Sequence, residues 1–406
     1  LIADVHFNPK VAEIAATIVD KVRINPGNYI NSKESIEKHL IPLLAICKKE
    51  GTAIRIGVNH GSMSEHILTK YGNTSAGMVE SLLEFVRICS SNSFHKLVLS
   101  VKASNVLTMI EANSLLVKKL IEEGLSYPIH IGVTEAGSDD EGRVKSAAGI
   151  GYLLAHGIGD TIRVSLTENP LFEIPVAKQL VETYGNRTVT SKMTPSNLIQ
   201  IPTKYFPRKP PFVVTSDHSE FSDYSMINND LLEKHRNNVK SYNIGKLTYS
   251  GLSIDNLIIR ATTDATISLL NNKADGIWIV NKDWTVDDQN AKLLLQIFQV
   301  LGKRCSSTEF IACPTCGRTS LNLLNLLADV KKRISHIPEL KIAVMGCSVN
   351  GPGEMADADY GILGAGNGKV IIYKTKNIIT SVSVEQATDS LISIIKDNGD
   401  WIDCLY

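Results

Sequence analysis

The sequence predicts an α/β protein whose first part is a TIM-type (β/α) barrel. Two observations carry that expectation. Across residues 1–190, short apolar, β-branched runs alternate with helical patterns, the signature of a parallel sheet buried on both faces. Each run also places polar or charged residues at or near its C-terminal end. A doubly wound sheet gathers its ligand groups at one switch point, whereas a barrel collects them from every strand onto one face.

Strands are expected at 1–7, 19–25, 52–59, 96–103, 129–136 and 161–167, with helical patterns between them such as Ser35 to Glu50 and Met78 to Ser90. The first strand ends in Asp4-Val5-His6. The second ends in Arg23-Ile24-Asn25 and turns at Pro26-Gly27-Asn28. The third carries Arg55, Asn59 and His60, and the fourth Lys102. The fifth ends in Thr134-Glu135-Ala136-Gly137, and the sixth carries Arg163 and Ser165. Only six units are visible and the chain opens inside a strand, so the first two barrel units are expected upstream of Leu1.

Residues 191–240 break this rhythm, because Pro195, Pro202, Pro207, Pro210 and Pro211 exclude a long regular element. The polar, Asn-rich and partly basic stretch Asp223 to Asn243 reads as a linker or mobile region. A partial α/β insert follows, with a strand at 255–260, a helix at 263–271, a strand at 275–281 and a helix at 286–302. Residues 304–406 read as a small α+β domain. Its Gly364-Ala365-Gly366-Asn367-Gly368 run opens no helix, so it is a hairpin turn between strands rather than a dinucleotide loop. A helix from Val384 to Lys396 closes the chain. The expected domains are therefore 1–190, 191–303 and 304–406.

Lys+Arg and Asp+Glu are both 42, a balance that argues against nucleic acid as the main partner while leaving room for a small anion. No run approaches the roughly 18 apolar residues of a membrane span, and no signal or transit peptide is visible. The 7 cysteines are an odd number, poor material for a disulfide framework. Cys47 and Cys89 lie in helical patterns and read as inert core residues.

The strongest motif is Cys313-Pro314-Thr315-Cys316-Gly317-Arg318, followed after a helix by Gly346-Cys347. Two thiolates at CxxC spacing plus a distant third form a metal-ligand pattern. A closed zinc site needs a fourth N or S ligand. Cys305 and His336 are the only obvious ones, and neither sits in a second CxxC or HxxxH, so an iron–sulfur cluster is the better reading. Glu354 follows the turn Asn350-Gly351-Pro352-Gly353. It is either a displaceable fourth ligand or a surface residue beside a turn.

A second constellation is cationic. Arg23, Arg55, Lys102 and Arg163 come from four strands, with Asn25, Asn59 and Ser165 close by in sequence. Any one cation suits a salt bridge, but four converging in an apolar barrel call for a phosphate or diphosphate. Asp4 and His6 are acid–base or hydroxyl-binding candidates. Glu135, at a strand terminus, is the best placed general acid.

These motifs resemble the 4-hydroxy-3-methylbut-2-enyl diphosphate synthase family of the methylerythritol phosphate route to isoprenoids. The matching stretches are Ala3 to Phe7, Lys21 to Asn28, Arg55 to Asn59, Thr134 to Gly137, Cys313 to Thr319 and Met345 to Ala358. The resemblance implies a barrel carrying substrate and a C-terminal domain with a [4Fe–4S] cluster on Cys313, Cys316, Cys347 and Glu354. The substrate would be 2-C-methyl-D-erythritol 2,4-cyclodiphosphate, reductively opened with loss of water, using two electrons from a ferredoxin or flavodoxin. By motif position, Arg23, Arg55, Lys102, Arg163, Asn59 and Ser165 would hold the diphosphate. Asp4, His6, Asn25 and Glu135 would contact the carbon skeleton and hydroxyls, with Asn350 near the cluster. The middle segment resembles a reduced insert of the three-domain form. That form, with the Asn-, Lys- and Ile-rich texture, points to a plastid or apicoplast stroma if the source is eukaryotic and to cytoplasm if bacterial. A homodimer is compatible with the sequence. A zinc-stabilised phosphosugar lyase or aldolase, and an iron–sulfur sensor or carrier without catalysis, are the rival readings.

Overall fold

The structure is a computed structural model. It describes residues 1–29, 35–185, 211–216, 223–227, 230–233, 243–283, 287–313, 319, 321–347, 351–355 and 357–403, with the backbone alone for 224–233 and 354. No helix among the described residues is long and apolar enough to cross a membrane.

The chain forms two compact units. The first comprises Leu1–Thr134 and His156–Arg163, the second Glu135–Ala155, the stretch beginning at Val164 and the C-terminal part. In the first unit, β1 (Ile2–Asp4), β2 (Lys21–Ile24), β3 (Ala53–Asn59) and β4 (Leu97–Lys102) pair in parallel and in sequence order. Parallel bridges Leu99 to Ile129 and Ala103 to Val133 carry the order on to β5 (His130–Ile131), which pairs with β6 (Thr161–Ile162). The order never reverses, as a barrel requires and a doubly wound sheet forbids. Val22, Ile24, Ile54, Ile56, Leu99 and Val101 are buried at 0% exposure, so the strands meet the burial expected of a covered parallel sheet.

The helices between them start and stop by local chemistry. Thr74 caps helix Ser75–Ser91 by accepting from Gly77 N, and Asn105 caps helix Val106–Glu122 by accepting from Thr108 N. Gly51, at φ 72°, closes helix Ile36–Glu50 in the left-handed region. Cys47 and Cys89 are buried on these helix faces as expected, and burial raises their thiols to about 11 and about 12.

In the second unit, β7 (Phe212–Thr215), β8 (Tyr224–Ile227), β9 (Asp230–Glu233), β10 (Ile244–Tyr249) and β11 (Gly276–Asn281) form a sheet in the order β10-β11-β7-β8-β9. Two expectations are corrected here. The stretch starting at Asp223 is not simply a linker: β8 and β9 form an antiparallel hairpin, anchored where Asp223 Oδ2 accepts from Val213 N at 2.9 Å and pairs with Arg304 at 2.6 Å. Residues 255–260 are not a strand but the first turns of helix Ile254–Leu270. Ser253 caps that helix, and its buried Leu257, Ile258, Ala261, Ala265 and Leu269 follow helical spacing. The run Leu257-Ile258-Ile259 is too short for period alone to decide. The Pro-rich stretch from Pro195 to Pro210 lies outside the described residues.

The last sheet runs β12 (Glu309–Ala312), β13 (Lys341–Met345), β14 (Tyr360–Gly366), β15 (Lys369–Lys374) and β16 (Asn377–Ser383). The glycine run makes the β14–β15 hairpin, as expected, and β16 adds a strand that the sequence reading did not assign. Helix Leu323–Ile334 buries Leu323, Leu326, Leu327, Val330 and Ile334 against Phe310, Ile342, Val344 and Ile362. Each such side chain contributes about 1.5–3 kcal/mol by burial.

Candidate functional site

β2, β3 and β4 set Arg23, Arg55 and Lys102 on one face of the first unit's sheet, where Arg23 registers with Arg55 and Lys102 with Asn59, four residues farther along β3. Arg23 is 9% exposed. Its Nη1 donates to Asp4 Oδ1 at 2.9 Å and lies 3.4 Å from His6 Nε2, and its Nη2 donates to Gly57 O at 3.0 Å. His6 Nε2 is also 3.4 Å from Asp4 Oδ1, while Asn28 Nδ2 approaches His6 Nδ1 at 3.2 Å. Burial opposes ionisation of Asp4, but the His6 hydrogen bond and the Arg23 charge overcome it and hold the carboxyl well below the usual carboxylate range.

Lys102 is 8% exposed. Burial, then the charges of Arg163, Arg55 and Arg23, pull its ammonium well below its ordinary value, and Asp4 opposes that only in part. Burial and Arg23 likewise lower Arg55. Among the described residues, neither Lys102 nor Arg55 has a hydrogen-bonded or ion-paired carboxylate. Cations pressed together this way are unfavourable unless an anion joins them. The charges therefore favour an anion with several oxygens, and the arginine forks suit phosphate.

The uncharged neighbours are partly committed. Asn25 Nδ2 donates to Ser62 Oγ at 2.8 Å and its Oδ1 accepts from Gly27 N at 3.0 Å, while Asn59 O accepts from Ser62 N at 3.0 Å. Sequence reasoning missed three residues beside the cationic cluster. His130 is buried against Thr161 Oγ1 at 2.8 Å, and burial plus the Lys102 and Arg55 charges push its imidazole down to about 2, so it is neutral. Gly57 and Gly132 make room for the cations. A Cβ at Gly57 would lie 2.8 Å from Arg23 Nε, and one at Gly132 would lie 2.6 Å from Arg163 O and 3.2 Å from Lys102 Cε. The signal was available in the period-2 alternation of a strand, which puts Gly57 on the same face as Arg55.

In the second unit, Glu135 and Ser165 are 3% and 2% exposed. Glu135 has φ 49° and Asp139 φ 55°, left-handed backbone that is uncommon for Glu and more readily taken up by Asp. The strand expected over 129–136 is shorter in the structure: a ladder at His130–Ile131 is followed by an isolated Ala103–Val133 bridge, ahead of this left-handed turn.

Cys313 follows β12 and Cys347 lies two residues beyond β13, and the two strands are parallel neighbours with Ala312 opposite Val344. Both thiols are half-buried and outside any disulfide. Gly346 lets the chain approach Thr319, whose Cγ2 would lie 2.7 Å from an added Cβ. Cys316, Asn350 and the Glu354 side chain lie outside the described residues. Of the zinc alternatives, Cys305 is exposed and His336 Nε2 meets Ile402 O at 2.8 Å.

The family models for the GcpE TIM-barrel domain and the GcpE protein C-terminal domain match residues 1–178 and 309–397. A 4-hydroxy-3-methylbut-2-en-1-yl diphosphate synthase (flavodoxin) of Parabacteroides distasonis is 35% identical, covering 99% of this chain and 86% of that protein. A counterpart in Phocaeicola vulgatus is 36% identical over 99% of this chain and 86% of its own length. A 4-hydroxy-3-methylbut-2-en-1-yl diphosphate synthase (ferredoxin) of Prochlorococcus marinus is 37% identical, over 99% and 75%. With two family domains matched and relatives of this identity spanning it, the chain belongs to the GcpE family of 4-hydroxy-3-methylbut-2-en-1-yl diphosphate synthases.

Proposed function

We propose that the chain reductively opens 2-C-methyl-D-erythritol 2,4-cyclodiphosphate to 4-hydroxy-3-methylbut-2-enyl diphosphate. Two electrons and two protons enter, a ring C–O bond breaks, and water leaves. The observation that carries this reading is Lys102, a buried cation beside Arg23, Arg55 and Arg163 with no carboxylate partner among the described residues. A diphosphate supplies the missing charge. The relatives' names give the electron donor as flavodoxin or ferredoxin, and lend nothing to a zinc lyase or to a sensor.

Arg23, Arg55, Lys102 and Arg163, with Asn59 and Ser165, hold the diphosphate, whose binding energy is remote from the reacting carbon and positions it. Asp4, His6 and Asn25 contact the carbon skeleton and hydroxyls. Asp4 stays ionised and holds Arg23 in place. Glu135 delivers a proton to the departing oxygen, and Asn350 contacts substrate close to the redox group. Cys313, Cys316, Cys347 and Glu354 would hold a [4Fe–4S] cluster, which when bound supplies the electrons. The soft thiols of Cys313 and Cys347, at the ends of adjacent strands, suit that group. This divides the chain into a substrate barrel at 1–190, an insert at 191–303 and a cluster domain at 304–406.

The test is anaerobic reconstitution with iron and sulfide, followed by turnover of the cyclic diphosphate with reduced flavodoxin or ferredoxin. The expected result is the linear diphosphate in proportion to bound iron. Zinc in place of iron, or iron without turnover, would overturn the reading.

A further inference from the structure

Strand β12 leads directly into Cys313 and lies at an edge of its sheet, with only β13 beside it. Its other side carries backbone carbonyls that the sheet does not use, and three contacts from the segments following Glu135 and Ser165 take them up. Lys145 Nζ donates to Phe310 O at 2.7 Å. Thr167 Oγ1 donates to Ala312 O at 3.2 Å. Ala136 pairs with Ala312 in a parallel bridge. Glu135 directly precedes Ala136, and Cys313 directly follows Ala312.

The lysine is held by a charged network. Lys145, with only 3% of its side chain exposed, donates to Glu141 Oε1 at 3.1 Å. Lys331, from helix Leu323–Ile334, donates to Glu141 Oε2 at 2.8 Å and to Ser138 Oγ at 3.3 Å. It also lies over the Phe310 ring at 5.5 Å. Glu141 thus joins two ammonium groups, one from the segment after Glu135 and one from the helix packed on β12. Burial disfavours its charge, but Lys145 and Lys331 together hold its carboxyl below the usual range. A partly buried charged network of this kind adds little net stability, which leaves the fixing of geometry as what it can contribute.

We propose that Lys145, Glu141 and Lys331 are positioning residues that clamp the strand entering Cys313 onto the loop carrying Glu135, fixing the acid relative to the thiolate end of the reaction. The clamp as a device for catalysis rests on the roles given to Glu135 and Cys313 in the proposed function. Its existence rests on the hydrogen bonds alone. None of the three residues need touch substrate, so the expected signature is a kcat defect with little change in KM.

The experiment compares Lys331→Met, Lys331→Arg and Glu141→Gln in the reconstituted holoenzyme. It measures iron and sulfide content, kcat and KM for the cyclic diphosphate, and amide hydrogen exchange in peptides covering 135–146 and 309–313. Lys331→Met and Glu141→Gln are expected to keep their iron and their KM, to exchange faster in both peptides, and to lose about 10- to 100-fold in kcat, the range that a displacement of about 1 Å produces. Lys331→Arg, which keeps the charge, is expected to restore both kcat and slow exchange. Unchanged exchange in the two peptides, a loss of iron that accounts for the whole activity loss, or failure of arginine to rescue would overturn the clamp. A wild-type protein without turnover would instead sink the functional reading, and the exchange pattern would still decide whether the clamp exists.

Discussion

Lys102 shows how a binding residue is made at the expense of the folded state. Its side chain is buried beside three arginines, and Asp4 moderates the repulsion in part. The sign of its pH effect follows from its lowered folded value. Above the unfolded value the group is neutral in both states and causes no penalty. Below the folded value it is charged in both, and the burial penalty is fully present. Between the two, the unfolded chain binds the extra proton, so stability rises with pH. Lys102→Met is therefore expected to raise the melting temperature of the ligand-free protein, by about 2–4 °C for each ~1 kcal/mol of relieved repulsion. It should also flatten the rise in stability with pH that ends near the unfolded lysine value of ~10.4. The same change should weaken inorganic pyrophosphate binding by about tenfold or more, the scale of one charge-assisted contact. Calorimetry and titration of the variant check both halves; a lower melting temperature with unchanged pyrophosphate affinity would contradict the account. At this scale the sequence was readable wherever charge was unusual. Arg23, Arg55 and Lys102 stand out because apolar strands seldom carry cations. His130 did not, because a histidine inside a strand is ordinarily a packed one, and only the neighbouring cations reveal that it must stay neutral.

The loop from Glu135 to Asp139 is the element where conformation and function conflict. Glu135 at φ 49° and Asp139 at φ 55° occupy a region that costs side-chain-bearing residues about 1–3 kcal/mol each. A loop is held that way when its neighbours overdetermine it. Here Thr167 N donates to Gly137 O at 2.9 Å and Asp139 N to Glu168 Oε1 at 2.6 Å. Glu135→Gly is accordingly expected to leave the melting temperature unchanged or raised, since glycine adopts this φ freely, while turnover falls by about 10²-fold or more for want of the acid. Thermal unfolding and steady-state assays on one preparation separate the two effects. A strong loss of stability with residual full activity per folded molecule would remove Glu135 from the mechanism. The same loop marks where elements could not be read from sequence. Period-2 patterning continues past Ile131, but the regular ladder does not: an isolated Ala103–Val133 bridge and the bond from Thr134 N to Ala103 O carry the pairing as far as the left-handed turn at Glu135. The reverse error at 255–260 has a different origin: Leu257-Ile258-Ile259 is apolar on every side, and only Ser253 accepting from Asn256 N identifies a helix start.

Over the whole molecule, strand order was the most legible feature: alternation gives parallel strands, and the polar residues at their ends favour an order that does not reverse. The insert sheet was less so, because β8 and β9 are four residues each, too short for a period to show. The cationic cluster belongs wholly to the first compact unit, and Cys313 and Cys347 to the second. Anion binding and metal binding should then fail independently. Arg23 donates to Asp4 and to Gly57 O, so Arg23→Ala removes a fork and also frees Asp4, a carboxylate, at the anion site. That variant is expected to lose the stabilisation that pyrophosphate gives, which for a wild-type site at a hundredfold excess over Kd is about 2.7 kcal/mol, while retaining full iron and sulfide. Cys316→Ser is expected to do the opposite, losing iron, the visible absorption of the cluster and all turnover, yet keeping the pyrophosphate-induced rise in melting temperature. Measuring both properties on both variants gives a two-by-two comparison in which each mutation should affect one column only. If Cys316→Ser abolished the pyrophosphate response as well, the two sites would have to form as one, and the division of labour between the units would fail.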